Sequence, residues 1–327
     1  MYYNQKSSIE NLIKTEALIE QHLHGGFGVD FSKCAADDFV EFSNKIIKYG
    51  VSGFFPTLAT DTIENLKRQI REINKAKKMQ SNSSIPMAKI LGIHLEACFL
   101  NPEKKGIHDS TQLLQPTIDN FKKLEDNFIK IVTLAPELDK DFALCKYLKS
   151  KGIRVSAGHC TATDLSQVHQ VTHLYNAMGV FSHKTKSTVT EALINNDIYT
   201  ELIADFKHVD ENAIKVVFRT KPLSKIILIS DALPITHSKT DKMIFCNKDI
   251  FLKDDKATDE NGILAGSTMF VSEIISLLVN KDIIDFYTAV KMASSNIDYV
   301  ERPDSQLFWD KNFNICAIRI DGVTTSF

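Results

Sequence analysis

The sequence predicts an α/β chain folded as a TIM-like (β/α)8 barrel, and three observations predict it. Apolar runs of strand length alternate with amphipathic segments, the pattern of parallel strands joined by crossover helices. Eight such runs can be counted, the number that closes a barrel. At or just after the ends of six of them stands a histidine or a carboxylate: His22 and His24, Glu96, His159, His173, His208 and Asp231. The C-terminal ends of barrel strands share one mouth, so these distant residues would meet there.

The elements follow in order. Ala17-Leu18-Ile19 opens the first strand, which runs into Gln21-His22-Leu23-His24-Gly25-Gly26. A helix over 37–49 places Phe39, Val40, Phe42, Ile46 and Ile47 on one face, with Gly50 as its stop. Strand two covers 51–58, and a charged helix over 62–79 ends in the polar loop 80–84. Strand three spans 88–95 and strand four 128–134. Strand five spans 153–157, behind a helix stopped by Lys151-Gly152. Strand six, near 170–174, is weak by propensity. Strand seven covers 201–204, and 225–230 reads as a buried parallel strand. A hairpin is expected to be inserted over 243–264, and Ser267 to cap a helix over 268–280. The alternating run 314–320 before Asp321-Gly322 reads as a hairpin strand. The barrel is therefore expected over 17–300, flanked by a small β segment from 1–16 and 301–327.

Composition narrows the function. A chain of 327 residues suits one main domain, because single barrels of about 250 residues are common. Hydrophobic residues at 43% and charged residues at 24% describe a globular chain rather than a disordered one. A net charge of −2 gives no electrostatic reason for nucleic acid or anionic lipid as partner. Six cysteines without a C-x-x-C pair argue against a disulfide framework and a zinc ribbon, and suit reduced thiols in a cytoplasm. Residues 1–11 are polar, without the apolar core of an export signal. No apolar stretch reaches the ~18 residues of a membrane span.

The chemistry starts at His22 and His24. Two apart on a strand, their imidazoles would share a face and could grip one metal ion. A His-x-His pair alone is a weak signal, a lone histidine after a strand is usually a surface residue, and a lone carboxylate there is usually a helix cap. Six strand ends bearing such residues are better explained by one metal site.

Five stretches carry a family resemblance: Ile93-His94-Leu95-Glu96; 101–108, Asn-Pro-Glu-Lys-Lys-Gly-Ile-His; Val155-Ser156-Ala157-Gly158-His159; 172–178, Thr-His-Leu-Tyr-Asn-Ala-Met; and 204–209, Ala-Asp-Phe-Lys-His-Val. In order and content, from about His22 to Asn296, they resemble the N-acetylglucosamine-6-phosphate deacetylase family of the amidohydrolase superfamily. The resemblance implies a barrel of the metal-dependent hydrolase type with a flanking β-sandwich. It also implies removal of acetate from N-acetyl-D-glucosamine 6-phosphate in amino-sugar catabolism. Glu96, His159 and His173 match the principal metal ligands, and His22 and His24 match the pair that holds a second ion in some members. Asp231 matches the aspartate that shuttles the proton, and His108 the histidine that polarises the acetamide carbonyl. Asn176, Ala177 and His208 match positions that hold the sugar phosphate. One or two divalent ions are implied, with zinc, iron, cobalt and manganese all compatible with N and O ligands.

The chain also departs from the family. His183-Lys184-Thr185-Lys186-Ser187 stands where the family has His-Arg-x-Pro-Gly. Lys184 keeps the charge but loses the planar fork that arginine offers a phosphate. Because that arginine can serve a neighbouring subunit's site, a homodimer is implied. Ala97-Cys98 replaces Gly-Pro, which would bring a thiol near Glu96. Only 21 residues precede His22, so the flanking β-sandwich is expected to be reduced. Two other readings stay open. One is deacetylation of another N-acyl sugar phosphate, such as the N-acetylgalactosamine epimer. The other is a catalytically silent sugar-phosphate-binding barrel, against which the retained Asp231 argues.

Overall fold

Eight parallel strands pair in chain order: Leu18–Leu23 (β1), Val51–Ala59 (β2), Ile93–Glu96 (β3), Ile129–Leu134 (β4), Arg154–Ala157 (β5), Gln170–Val171 (β6), Tyr199–Leu202 (β7) and Ile226–Leu228 (β8). The computed structural model describes residues 12–327. The expectation of no export signal in 1–11, and most of the 1–16 flanking segment, lie outside these residues. The sheet curls into the predicted TIM-like barrel. Between β8 and β1 it is joined just beyond β8: Asp231 N–H donates to His22 O at 2.9 Å, and His24 N–H to Ala232 O at 2.8 Å. The first and last site motifs are thus the seam of the barrel.

Helix α1, Ala36–Ile46, forms because Phe39, Phe42 and Ile46 recur at helical spacing, and all three are buried. Asp38 accepts from Ala35 N–H at 2.8 Å, satisfying an otherwise orphaned donor at its start. Phe42 meets Phe54 of β2 at a ring separation of 5.2 Å, and burial of a Phe side chain contributes about 1.5–3 kcal/mol. A 3-10 turn, Ile47–Tyr49, ends at Gly50 with φ +75°, where a Cβ would lie 2.6 Å from Leu307. Helix α2, Ile63–Ser81, is capped by Thr62, whose hydroxyl accepts from Asn65 N–H.

Three local expectations are corrected. The run 88–95 breaks into Lys89–Ile90 and β3, and at Gly92 between them a Cβ would meet the Lys130 side chain at 2.2 Å, so glycine alone fits there. Strand β6 stops at Val171, and His173 then turns into a left-handed conformation (φ 35°). Ser267 does not cap the next helix, which starts at Val271 and has its first turn closed by Glu273 accepting from Phe270 N–H. Ser267 instead pairs with the end of β8, its N–H donating to Asp231 O at 2.9 Å.

Beyond β8 the inserted segment is a four-stranded antiparallel sheet, Lys242–Phe245, Lys248–Lys253, Lys256–Asp259 and Leu264–Gly266. A second antiparallel sheet joins Ile13–Thr15 to Ser305–Trp309, Ile315–Ile320 and Val323–Ser326, with the turn at Asp321-Gly322. Trp309 is buried there on Phe286 and donates to Thr15 Oγ1 at 2.9 Å. Among the described residues no helix is long and apolar enough to cross a membrane.

Candidate active site

At the C-terminal mouth of the barrel a cavity of about 360 Å³ is lined by His24, Glu96, His108, His159, His173, Asn176, Ala177, His208 and Asp231, with Phe245 and Ile263–Gly266 from the inserted sheet. Glu96 is its centre. Oε2 lies 3.1 Å from His22 Nε2 and 3.2 Å from His24 Nε2. Oε1 lies 2.9 Å from His173 Nε2 and 3.4 Å from His159 Nε2. One buried carboxylate thus divides four histidines into two pairs. Asp231 Oδ1 joins the first pair, 3.4 Å from His22 and 3.2 Å from His24.

The backbone aims these side chains. His159, His173 and Asp231 have φ of 48°, 35° and 54°, a left-handed region that costs non-glycine residues about 1–3 kcal/mol. The turn away from the strand direction swings each side chain into the mouth. Their tautomers are set by what backs them. His24 Nδ1 lies 3.1 Å from Thr57 O and His159 Nδ1 2.8 Å from Lys104 O. His22 Nδ1 lies 3.1 Å from a carboxylate oxygen of Glu201. Acceptors at Nδ1 place the proton there and leave the Nε2 lone pairs converging on Glu96.

This donor set fits a divalent cation. Buried imidazole and carboxylate atoms of His22, His24, Glu96 and Asp231 lie within 4.8 Å of one another, as do those of Glu96, His108 and His159. Asp231 Oδ1 is buried without a hydrogen-bond partner. The charge balance agrees. Burial opposes ionisation of Glu96, but His22, His159 and His173 outweigh it and hold the carboxyl well below the usual range. Burial likewise opposes a charge on His24, and the neighbouring carboxylates of Asp231 and Glu96 push its pKa up to about 9. Histidine binds a metal in its neutral form, so an ion entering here displaces protons.

The remaining predicted residues fall into two groups. His108 is buried at the mouth, its Nε2 4.0 Å from Glu96 Oε2. Thr60 N–H donates to its Nδ1, so the proton sits on Nε2, facing the cavity. Burial, then the nearby His159, hold its pKa well below the ordinary value, favouring the neutral ring. His208 is braced by Asp205 at 2.8 Å, and its Nε2 is buried without a partner. Lys184 and Lys186 are exposed and are not among the residues lining the cavity. Cys98 is buried in the apolar core rather than in the cavity wall.

Sequence reasoning missed Glu201, His94 and Phe245. Phe245 sets its ring 5.2 Å from that of His24. His94 lies beside His22 with ring centroids 4.6 Å apart and bonds Thr133 at 2.7 Å. Only Glu201 left a usable signal, a charged residue inside an otherwise buried strand.

No family model matches the chain. The chain is 32% identical over 266 residues to the N-acetylglucosamine-6-phosphate deacetylase of Bacillus subtilis, covering 78% of this chain and 67% of that one. It is 27% identical to the N-acetylgalactosamine-6-phosphate deacetylase of Escherichia coli O157:H7, over 85% and 75% of the two chains. The crystal structure of N-acetylglucosamine-6-phosphate deacetylase from Pasteurella multocida superposes with a TM-score of 0.87 at 24% identity, over 98% of this chain and 88% of that one, a likeness of fold. By its sequence match, the chain belongs to the N-acetylglucosamine-6-phosphate deacetylase family.

Proposed function

We propose that the chain hydrolyses the linear amide of N-acetyl-D-glucosamine 6-phosphate, giving D-glucosamine 6-phosphate and acetate. The observation that carries this reading is Glu96, whose two oxygens face separate histidine pairs beside an unpartnered Asp231 oxygen. Glu96, His159 and His173 would hold one ion, and His22 and His24, with the other Glu96 oxygen, a second. Zinc is the choice we favour among the metals such donors accept. A divalent ion there supplies the Lewis acidity that makes water a usable nucleophile at neutral pH.

The protein's own groups do the rest. Burial opposes the charge on Asp231, but His22 and His24 outweigh it and lower its pKa. It is therefore a carboxylate at neutral pH, able to take a proton from the attacking water and return it to the departing amine. His108 donates from Nε2 to the carbonyl oxygen as negative charge develops. His208 Nε2, Asn176 and the backbone at Ala177 bind the sugar phosphate across the cavity. The barrel, over 17–300 with 243–264 inserted, would carry the site, and 1–16 with 301–327 the flanking β segment. Lys184 and Lys186 would supply positive charge from the loop that also exposes Val180 (82%) and Phe181 (56%). Exposed apolar residues beside a phosphate site favour a homodimer sealed over this loop. A cytoplasmic setting suits the six free thiols.

The altered loop and the match to a galactosamine-epimer enzyme support a second reading, N-acetylgalactosamine 6-phosphate as substrate. Acetate release by the purified, metal-loaded protein, run on both epimers, decides. We expect the glucosamine epimer to be preferred at least tenfold, with activity lost to a chelator and restored by metal. A reversed preference selects the second reading, and no release from either sugar overturns both.

A further inference from the structure

Beneath the metal-binding mouth, the barrel interior holds a closed set of polar side chains that the reaction does not use. Glu201 of β7 is fully buried. One of its oxygens accepts from Gln21 Nε2 and, at 3.0 Å, from Gln170 Nε2; the other faces His22 Nδ1 at 3.1 Å. Gln170 Oε1 accepts from Arg154 Nε at 2.6 Å, and Gln21 Oε1 accepts from the Tyr299 hydroxyl at 2.6 Å. Arg154 lies between the rings of Tyr199 and Tyr299, 4.5 and 4.1 Å from their centroids.

Arg154 sets the direction of the bonds through Gln170. Arginine has donors only, so Gln170 must present its oxygen to Arg154 and its NH₂ to Glu201. Gln21 gives its NH₂ to the same Glu201 oxygen, which leaves its Oε1 to accept from the Tyr299 hydroxyl. As a carboxylate, Glu201 accepts at both oxygens, so His22 places its proton on Nδ1. The Nε2 lone pair is left pointing at Glu96.

We propose that Glu201 is a positioning residue: oriented from Arg154 through Gln170, it fixes the His22 tautomer and thereby builds the second metal position. This rests on the reading that His22 and His24 hold an ion. Of the four histidines that face Glu96, His22 is the one backed by a side chain. His24 and His159 are backed by backbone carbonyls, and His173 Nδ1 has no hydrogen-bond partner. The device therefore acts on one metal position and not on the other.

Glu201→Gln tests it. Held by the same two donors at its oxygen, the new amide would turn its NH₂ toward His22 and force the proton onto Nε2. Metal content and chelator competition should show two ions in the wild-type protein. In the variant, the second ion should bind 10- to 100-fold more weakly, with the first unchanged within threefold. In the zinc-loaded wild type, long-range ¹H–¹⁵N spectra should show His22 as the Nδ1–H tautomer. That measurement stands even if the variant fails to fold. Two ions bound by Glu201→Gln within threefold of wild type, or His22 protonated on Nε2, overturns the role of Glu201 and leaves the proposed reaction standing. A wild-type protein with one ion, unaffected by His22→Ala, overturns the second metal position and this inference with it.

Discussion

Replacing Asp231 with asparagine removes the proposed proton acceptor and keeps the size of the side chain. Asparagine tolerates the left-handed conformation that residue 231 adopts at φ 54°. The two backbone bonds of residue 231, Asp231 N–H to His22 O and Ser267 N–H to Asp231 O, both at 2.9 Å, do not involve the side chain. Glu96, His159 and His173 keep their arrangement, so an ion held by them should stay. What goes is the ability of Oδ1, 3.4 and 3.2 Å from the two Nε2 atoms of His22 and His24, to accept a proton. Loss of a positioned general base costs 10²- to 10⁴-fold, about 3–5 kcal/mol of barrel-mouth catalysis at 1.36 kcal/mol per tenfold. Because Asp231 faces the histidines, kcat should carry the fall and KM should move less than threefold. Acetate release measures the rate, and metal content on the same sample shows that the ion was retained. A variant with retained metal and kcat within threefold of wild type would refute the assigned mechanism.

Three further outcomes are expected. Gly158→Ala places a Cβ 2.7 Å from both Thr133 Cγ2 and Thr172 Cβ. Overpacking of this kind costs about 1–3 kcal/mol and should lower the urea midpoint and turnover together, because His159 is the next residue; an unchanged midpoint contradicts the packing described. His169 accepts from Val155 N–H at 2.9 Å, and burial, then Arg154, lower its pKa to about 4. Between pH 6.5 and about 4 the unfolded chain binds a proton that the folded chain refuses, so stability falls as pH falls across that window. His169→Gln should flatten that slope in urea unfolding at pH 7 and pH 5, and an unaltered slope counts against it. His108→Gln should cut kcat about 10²-fold or more, as for loss of one oxyanion donor, without loss of metal; a change below threefold removes His108 from the reaction.

The fold was legible because period and position both survive in sequence. Buried parallel strands read as apolar runs, and residues at their ends converge by topology, so Glu96, His159, His173 and Asp231 could be named together before any geometry was known. Glu201 was not legible as a partner of His22. The β1–β2 register is irregular between Glu20 and Leu23, and the consecutive residues Gln21 and His22 both reach Glu201, which strict alternation would forbid. The acceptors behind His24 and His159 are backbone carbonyls, which carry no residue signature. His94 stands two residues from Glu96, yet it bonds Thr133, and burial followed by the neighbouring His22 lowers its pKa to about 3. In sequence it resembles a ligand, and in the fold it is a neutral core histidine. Ser267 read as a cap because serine before an apolar run usually is one. The seam with Asp231 claimed its backbone instead.

Anomalous diffraction at the zinc edge, from crystals grown with zinc, tests the central claim most directly. A peak about 2.0–2.2 Å from Glu96 Oε1, His159 Nε2 and His173 Nε2, with a second between Glu96 Oε2, His22 and His24, is what this arrangement predicts. Crystals with zinc bound elsewhere, and no peak among those atoms, would contradict it.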